Sequence, residues 1–276
     1  MLAPSPRAVK SGLRLVRWAN ALTAAAGVLA GAWWAGWGDS ARIVLAAVAA
    51  VGLTAAANGW NDLADVDIDR VAHPDRPLVT GTLSPASADR IAMFAGTGAV
   101  LAASMVSTLL GMCSVGVLLL MRLYSPWIKR VGLAGNLVVS VLASLPFLYG
   151  SYAAGQWHRG VPLVLTAIPL HLARELAKDL DDRDADLGAR RTIPIVLGAP
   201  FARAAILVAL VASGVALALG LAPLVRSPAL LLAALIPAMV ALALATVRAI
   251  RGRPGSPGFF KLAMACAMGA LLVARA

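Results

Sequence analysis

The sequence predicts an all-α integral membrane protein with about nine transmembrane helices. Three observations predict it. Of the 276 residues, 60% are hydrophobic and only 13% charged, whereas soluble domains carry about 25% charged residues. The apolar residues fall in repeated runs of roughly 15 to 24, and about 20 helical residues cross the hydrocarbon core of a bilayer. The basic residues cluster between alternate runs, as the positive-inside rule requires of a multi-pass chain. Disordered and soluble globular classes are thereby excluded.

The expected spans, in order, cover 13–37, 41–61, 89–109, 111–128, 132–154, 160–178, 200–222, 228–248 and 257–274. The first follows a basic stretch, MLAPSPRAVKSGLRLVRW, read as the cytoplasmic start of a helix rather than a removable signal. It carries a GxxxG pair, Gly27 and Gly31, suited to close helix approach. Trp33, Trp34 and Trp37 end it as an interfacial belt would. The apolar run from 91 to 121 is too long for one crossing, and Gly111 with Leu110 and Met112 is the expected turn between the third and fourth spans. Cys113 and Cys266 lie in apolar runs with no CxxC or Cys/His pairing, which gives neither a disulfide framework nor a zinc site support. Residues 1–276 are taken as one transmembrane domain, with polar loops at 62–90 and 174–200.

The net charge of +11 resembles a nucleic-acid signal only until the charges are placed. With these spans, 20 of the 24 basic residues fall on one side, leaving Arg42, Arg159, Arg226 and Arg275 on the other. The expected topology puts the N-terminus and both polar loops in the cytoplasm and the C-terminus outside, in the cell membrane. No nucleic-acid partner is needed. The acids segregate further: of 13, six lie in 62–89, six in 175–186, and Asp39 stands alone. Acidic residues contribute little to topology, so this segregation has another cause.

In the first cluster Asn61, Asp65 and Asp69 stand at i, i+4 and i+8, one stripe of a helix continuing the second span. In the second, Lys178, Asp182 and Asp186 repeat the spacing, with Arg174 one turn earlier, at the end of the sixth span. Carboxylates one turn apart repel each other, so two such stripes on one side are expected to hold divalent cations. Hard oxygen donors favour Mg2+ over zinc, and Mg2+ commonly binds one or two carboxylates together with substrate phosphates. Arg76, Lys129, Arg130, Lys178, Arg190 and Arg191 interleave with the stripes. Carboxylate, Mg2+, phosphate and guanidinium together describe a diphosphate clamp. A single DxxxD on a solvated helix is commonplace; two at equivalent ends of two spans are not.

These residues resemble the UbiA superfamily of intramembrane prenyltransferases. The first motif is Asn61-Asp62-Leu-Ala-Asp65-Val-Asp-Ile-Asp69, followed by Pro74, Arg76-Pro77 and Gly81, similar to the family's PxRPxxxG. The second is Asp182-Arg-Asp-Ala-Asp186 within RELAKDLDD and before RRTIP. The start Arg17 to Asn20, RWAN, is similar to the family's RPxN, and the resemblance covers essentially the whole chain. Ala185 stands where many members have Gly, and His73 where many have Asn. Tyr124 to Ser140 and RELAKDLDD look closest to the digeranylgeranylglyceryl phosphate synthase branch, while quinone-pathway members carry similar text.

The resemblance implies a UbiA-type bundle in which Asn61, Asp65, Asp69, Asp182 and Asp186 hold Mg2+ against the diphosphate of an allylic prenyl donor. Asp62 and Asp179 join as further metal contacts, or orient the ligands or accept a proton. It further implies Arg76, Lys129, Arg130, Lys178 and Arg174 as diphosphate-binding residues. Asn20, Arg17 and Tyr124 are implied at the substrate, Tyr124 equally as an interface anchor. The acceptor is lipid-phase or amphipathic, of the geranylgeranylglyceryl phosphate kind, or else aromatic; membrane lipids surround the chain, and oligomeric state is unreadable. Two other functions stay open at this point: an intramembrane terpene cyclase, and, from a different class, a cation transporter. His73 and His158 are expected as loop residues and His171 as a packing residue.

Overall fold

The computed structural model describes residues 6–124, 132–188, 190–221, 225 and 227–275. Lys129 and Arg130 lie outside them. The described residues are mostly helical, with no strand among them. In order the helices are α1 (Pro6–Val16), α2 (Trp18–Ala35), α3 (Ser40–Ala64), α4 (Val66–Ala72), α5 (Pro85–Val106), α6 (Thr108–Tyr124), α7 (Gly132–Ala153), α8 (Trp157–Asp181), α9 (Arg183–Asp186), α10 (Ile193–Val196), α11 (Ala199–Ala216), α12 (Pro228–Ile250) and α13 (Ser256–Ala274). A π-helical turn, Leu217–Leu221, extends α11.

Within the described residues each expected span after the first falls on one helix, and the chain is a multi-pass membrane protein. Seven helices among the described residues are long and apolar enough to cross a bilayer unaided. The first expected span is broken: α1 and α2 meet at Arg17 and bend by 52°. The fourth, α6, is shorter, at 17 residues. So the count of nine stands only when the bent pair and the short helix are included. The α1 helix and the end of α13 lie at opposite ends of the bundle, because Arg275 reaches Gly36, which ends α2. Arg159 comes to the same place, joining two of the four basic residues set apart by the charge pattern.

Local chemistry explains where the helices start and stop. Asp39, the isolated acid, caps α3 by accepting the Ala41 N–H at 2.8 Å. Ser84 and Ser227 cap α5 and α12, each followed by Pro at the first helical position. The break between α5 and α6 falls at Ser107, not at Gly111. Ser107 is extended (φ −168°, ψ 155°), its Oγ accepts the Leu110 N–H at 3.1 Å, and it meets the Tyr152 hydroxyl at 3.0 Å. Gly111 lies inside α6, where its missing Cβ lets Ser104 pack against the backbone. A capping hydroxyl outweighed glycine as the turn signal.

The α3 helix packs on α5 and α2, α2 on α7, α7 on α8, α8 on α11, and α12 on α13. Small side chains permit this closeness: the core between α2, α3, α5 and α7 contains Ala32, Ala46, Ala49, Ala50, Ala99 and Ala103. The GxxxG pair faces α7, with Gly27 against Pro146 and Gly31 against the Phe147 carbonyl, while Gly150 receives the Val28 carbonyl in return. Of the expected aromatic belt, Trp33 and Trp37 are exposed, but Trp34 is buried with Leu163 and Leu221. Trp34 lies about 100° around α2 from Trp33, which is enough to turn it from lipid into the bundle, and Trp37 stands beyond the end of the helix.

Gly150→Val drives a branched side chain into the Val28 carbonyl. The expected result is a loss of about 1–3 kcal/mol, read as a lower thermal midpoint in detergent. Gly98→Ala, which enters open space, is expected to hold or raise the midpoint. Equal midpoints for the two variants would refute the close approach of α2 and α7.

Candidate active site

Two helix breaks build the site. The α3 helix ends at Asp65 (φ −102°, ψ 6°) and α4 begins one residue later; α8 ends at Asp182 (φ −90°, ψ 3°) and α9 begins one residue later. Helical hydrogen bonds run through both breaks. The Asp65 N–H donates to the Asn61 carbonyl at 3.0 Å and the Asp69 N–H to the Asp65 carbonyl at 2.8 Å. On the other side Asp182 donates to Lys178 at 2.9 Å, Asp186 to Asp182 at 3.0 Å, and Arg190 to Asp186 at 3.0 Å. Each stripe therefore keeps its one-turn spacing while the chain turns at the end of the span, and α4 and α9 lie against each other.

The stripes face inward. Asp62, Asp65, Asp69 and Asp186 are 3%, 7%, 4% and 1% exposed, whereas Asp67 and Asp184, on the other side of the same turns, are exposed. A solvated face would show the reverse. Buried carboxylates require compensation, and arginines supply it. The Arg190 guanidinium donates to Asp65 at 2.7 Å and lies 3.2 Å from Asp186, joining the two clusters. Arg76 is bound to both Asp69 and Asp62, the latter at 3.1 Å. Arg17 donates to the same Asp62 oxygen at 2.6 Å. Burial holds the Asp69 carboxyl above the usual aspartate range against the pull of Arg76, and the Asp65 and Asp62 charges push it the same way.

Arg17 has a left-handed backbone, φ 49°. For a residue with a Cβ this costs about 1–2 kcal/mol, and it is what turns α1 away from α2 and aims the guanidinium at Asp62. Asn58 stitches the junction, donating to the Val16 carbonyl at 2.9 Å. A cleft of about 280 Å3 opens here, lined by Arg14, Arg17, Trp18, Asp62, His73 and Arg76 among others.

The remaining expected residues divide. Asn61 is half-buried one turn before Asp65. Lys178 stands 4.0 Å from Asp182. Asp179 accepts from Asn136 of α7 at 2.8 Å, within the second cluster rather than across to the first. Arg174 is paired with Glu175 at 2.8 Å. Asn20 accepts from Lys261 of α13 at 3.2 Å. Tyr124 ends α6; Lys129 and Arg130 fall outside the described residues. Asn136 and Lys261 are the residues that sequence reasoning did not place in the site, whereas Arg190, read as interleaved with the stripes, is the residue that joins them. Lys261 had no signal beyond a charge in an apolar helix.

Among the described residues no three carboxylates converge as a finished metal cage. The donor set is nonetheless of hard oxygens, crowded enough that their mutual repulsion acts on Asp69. One guanidinium spans the two stripes, so a cation–phosphate assembly between them meets carboxylates on both sides. That chemistry fits Mg2+.

The model of the UbiA prenyltransferase family matches residues 21–267. The digeranylgeranylglyceryl phosphate synthase of Ignicoccus hospitalis is 35% identical over 226 residues, 78% of this chain and 73% of that one. Among solved structures, a UbiA homologue from Aeropyrum pernix superposes with a TM-score of 0.80 at 23% identity, over 93% of this chain and 98% of that one. A UbiA homologue from Archaeoglobus fulgidus bound to GPP and Mg2+ does so at 0.68 and 17% identity, over 93% and 99%. These two share the fold. With a family model matched over most of its length and a relative at this identity, the chain belongs to the UbiA prenyltransferase family and is a membrane-embedded prenyltransferase.

Proposed function

We propose that this enzyme transfers a prenyl group from an allylic prenyl diphosphate to a phosphate-bearing glyceryl ether lipid. The carrying observation is the pair of carboxylate stripes joined by Arg190 through the buried Asp65 and Asp186. The sequence likeness to a digeranylgeranylglyceryl phosphate synthase supports the acceptor class, and the GPP and Mg2+ held by a neighbour of the same fold support the donor and the metal. We assign Asn61, Asp65 and Asp69 on one side, and Asp182 and Asp186 on the other, to hold Mg2+. When bound, the metal neutralises the diphosphate and makes it a leaving group. Asp62 and Asp179 act as positioning residues, the first holding Arg17 and Arg76, the second held by Asn136.

Arg76, Arg190 and Lys178 face the charge that develops on the diphosphate as the C1–O bond breaks. The bonding electrons leave with the diphosphate; the acceptor hydroxyl oxygen bonds to C1 and releases its proton. Apolar helices around the prenyl chain exclude water that would otherwise capture the allylic cation. The positive-inside rule supports a cytoplasmic polar end and N-terminus, with the C-terminus outside.

The reconstituted protein is expected to release diphosphate from prenyl diphosphates of the C10 to C20 series only with Mg2+ and geranylgeranylglyceryl phosphate present. Release with no acceptor would replace this reading by cyclisation or hydrolysis, and release only with aromatic acids would move the acceptor to the aromatic class. A folded protein inert toward every donor would end it.

Asp65→Ala combined with Asp182→Ala is expected to lower turnover by at least about 10²–10³ with the thermal midpoint retained. Arg190→Gln removes the guanidinium that joins Asp65 to Asp186. Its turnover is expected to fall about 10- to 100-fold, with more Mg2+ needed for half-maximal rate if the arginine orients the metal ligands. Wild-type turnover in Arg190→Gln would remove the bridge from the mechanism.

A further inference from the structure

Lys261 stands apart from the carboxylate machinery. It is an exposed ammonium group near the start of α13, an otherwise apolar helix, and ionisable residues within membrane helices mark substrate routes. The charges that act on it are those of Arg174, Arg17, Glu175 and Lys178, three of them positive. Arg17 has Asp62 at 2.6 Å, Arg174 has Glu175 at 2.8 Å, and Lys178 has Asp182 at 4.0 Å. Lys261 forms no ion pair with a carboxylate among the described residues; its hydrogen bond goes to the Asn20 amide oxygen, 3.2 Å away. That leaves the Asn20 amide N–H2 and two ammonium protons as donors side by side, contributed by α2 and α13.

The depth of this pair separates it from the diphosphate site. The Asn20 N–H donates to the Arg17 carbonyl, so Asn20 lies one turn further along α2 than the arginine bound to Asp62. On α13, Gly255 at the helix start donates to Asp181 at 2.8 Å, and Lys261 lies more than a turn beyond it. The pair thus sits on the membrane side of both carboxylate clusters, where a lipid arriving tail-first within the bilayer brings its headgroup.

We infer that Lys261, with Asn20, forms the subsite for the phosphate of the acceptor lipid and makes the enzyme select a phosphorylated glyceryl ether over its uncharged alcohol. This rests on the acceptor class proposed above. The phosphate monoester supplies Lys261 with the counter-charge that no carboxylate among the described residues gives it, and the glyceryl hydroxyl, a few bonds from it, is carried toward C1 of the donor.

The test compares wild type, Lys261→Met and Lys261→Arg in lipid vesicles with geranylgeranyl diphosphate as donor. The acceptors are geranylgeranylglyceryl phosphate and geranylgeranylglycerol. Wild type is expected to prefer the phosphorylated acceptor. Lys261→Met is expected to raise the KM for that acceptor about 10- to 100-fold, as loss of a charge-assisted hydrogen bond does, with the donor KM held within about twofold. Lys261→Arg is expected to recover part of the preference. Preference retained in Lys261→Met, or a rise in donor KM in place of acceptor KM, overturns the inference; the latter assigns Lys261 to the diphosphate.

The thermal midpoint with each acceptor alone, without donor, keeps the two claims apart. A shift produced by the phosphorylated ether in wild type and lost in Lys261→Met supports the subsite even if transfer fails. Transfer to the phosphorylated ether with no such dependence on Lys261 leaves the functional reading standing and removes the subsite.

Discussion

The structure turns on the cost of burying acids where helices emerge from an apolar bundle. Four aspartates nearly removed from solvent could not remain ionised there without cations close by. Arg17, Arg76 and Arg190 meet that requirement, each planar guanidinium reaching one or two carboxylates. Arginine suits the task because it keeps its charge on burial and offers several donors in a fixed plane. The guanidiniums hold the acids in place at the end of the bundle, and metal binding favours their deprotonated form.

The two breaks at Asp65 and Asp182 make this arrangement possible. A straight helix would carry both stripes out into water along its own axis. Turning the chain after one residue, with backbone hydrogen bonds still running through the turn, brings the short helices α4 and α9 together over the end of the bundle. The near-identical dihedral angles at the two aspartates mean that both halves of the chain solve the same geometric problem in the same way. Arg17 adds a third bend, and its left-handed backbone ties the N-terminal helix to the first cluster.

Close helix packing sets the distances on which the site depends. Gly27, Gly31 and Gly150 let α2 and α7 approach until backbone meets backbone, and α7 in turn carries Asn136 to Asp179. The same chain of contacts through α2 brings Asn20 to α13. Catalytic and apolar parts are therefore not separable: widening the α2–α7 contact would move the polar end as well.

Much of this was legible in the sequence. The apolar segments and the one-turn spacing of both stripes follow from local periodicity, because 3.6 residues per turn and the membrane thickness act on neighbouring residues. Errors arose where two local signals competed: Gly111 lost the turn to the capping hydroxyl of Ser107, and Trp34 turned inward while its neighbours faced out. The pairings were decided by the tertiary structure alone. Arg190 and Asp65 are 125 residues apart, and Lys261 and Asn20 are 241 apart. No periodicity links such positions; only the order and closeness in which the helices pack brings their charges to one place.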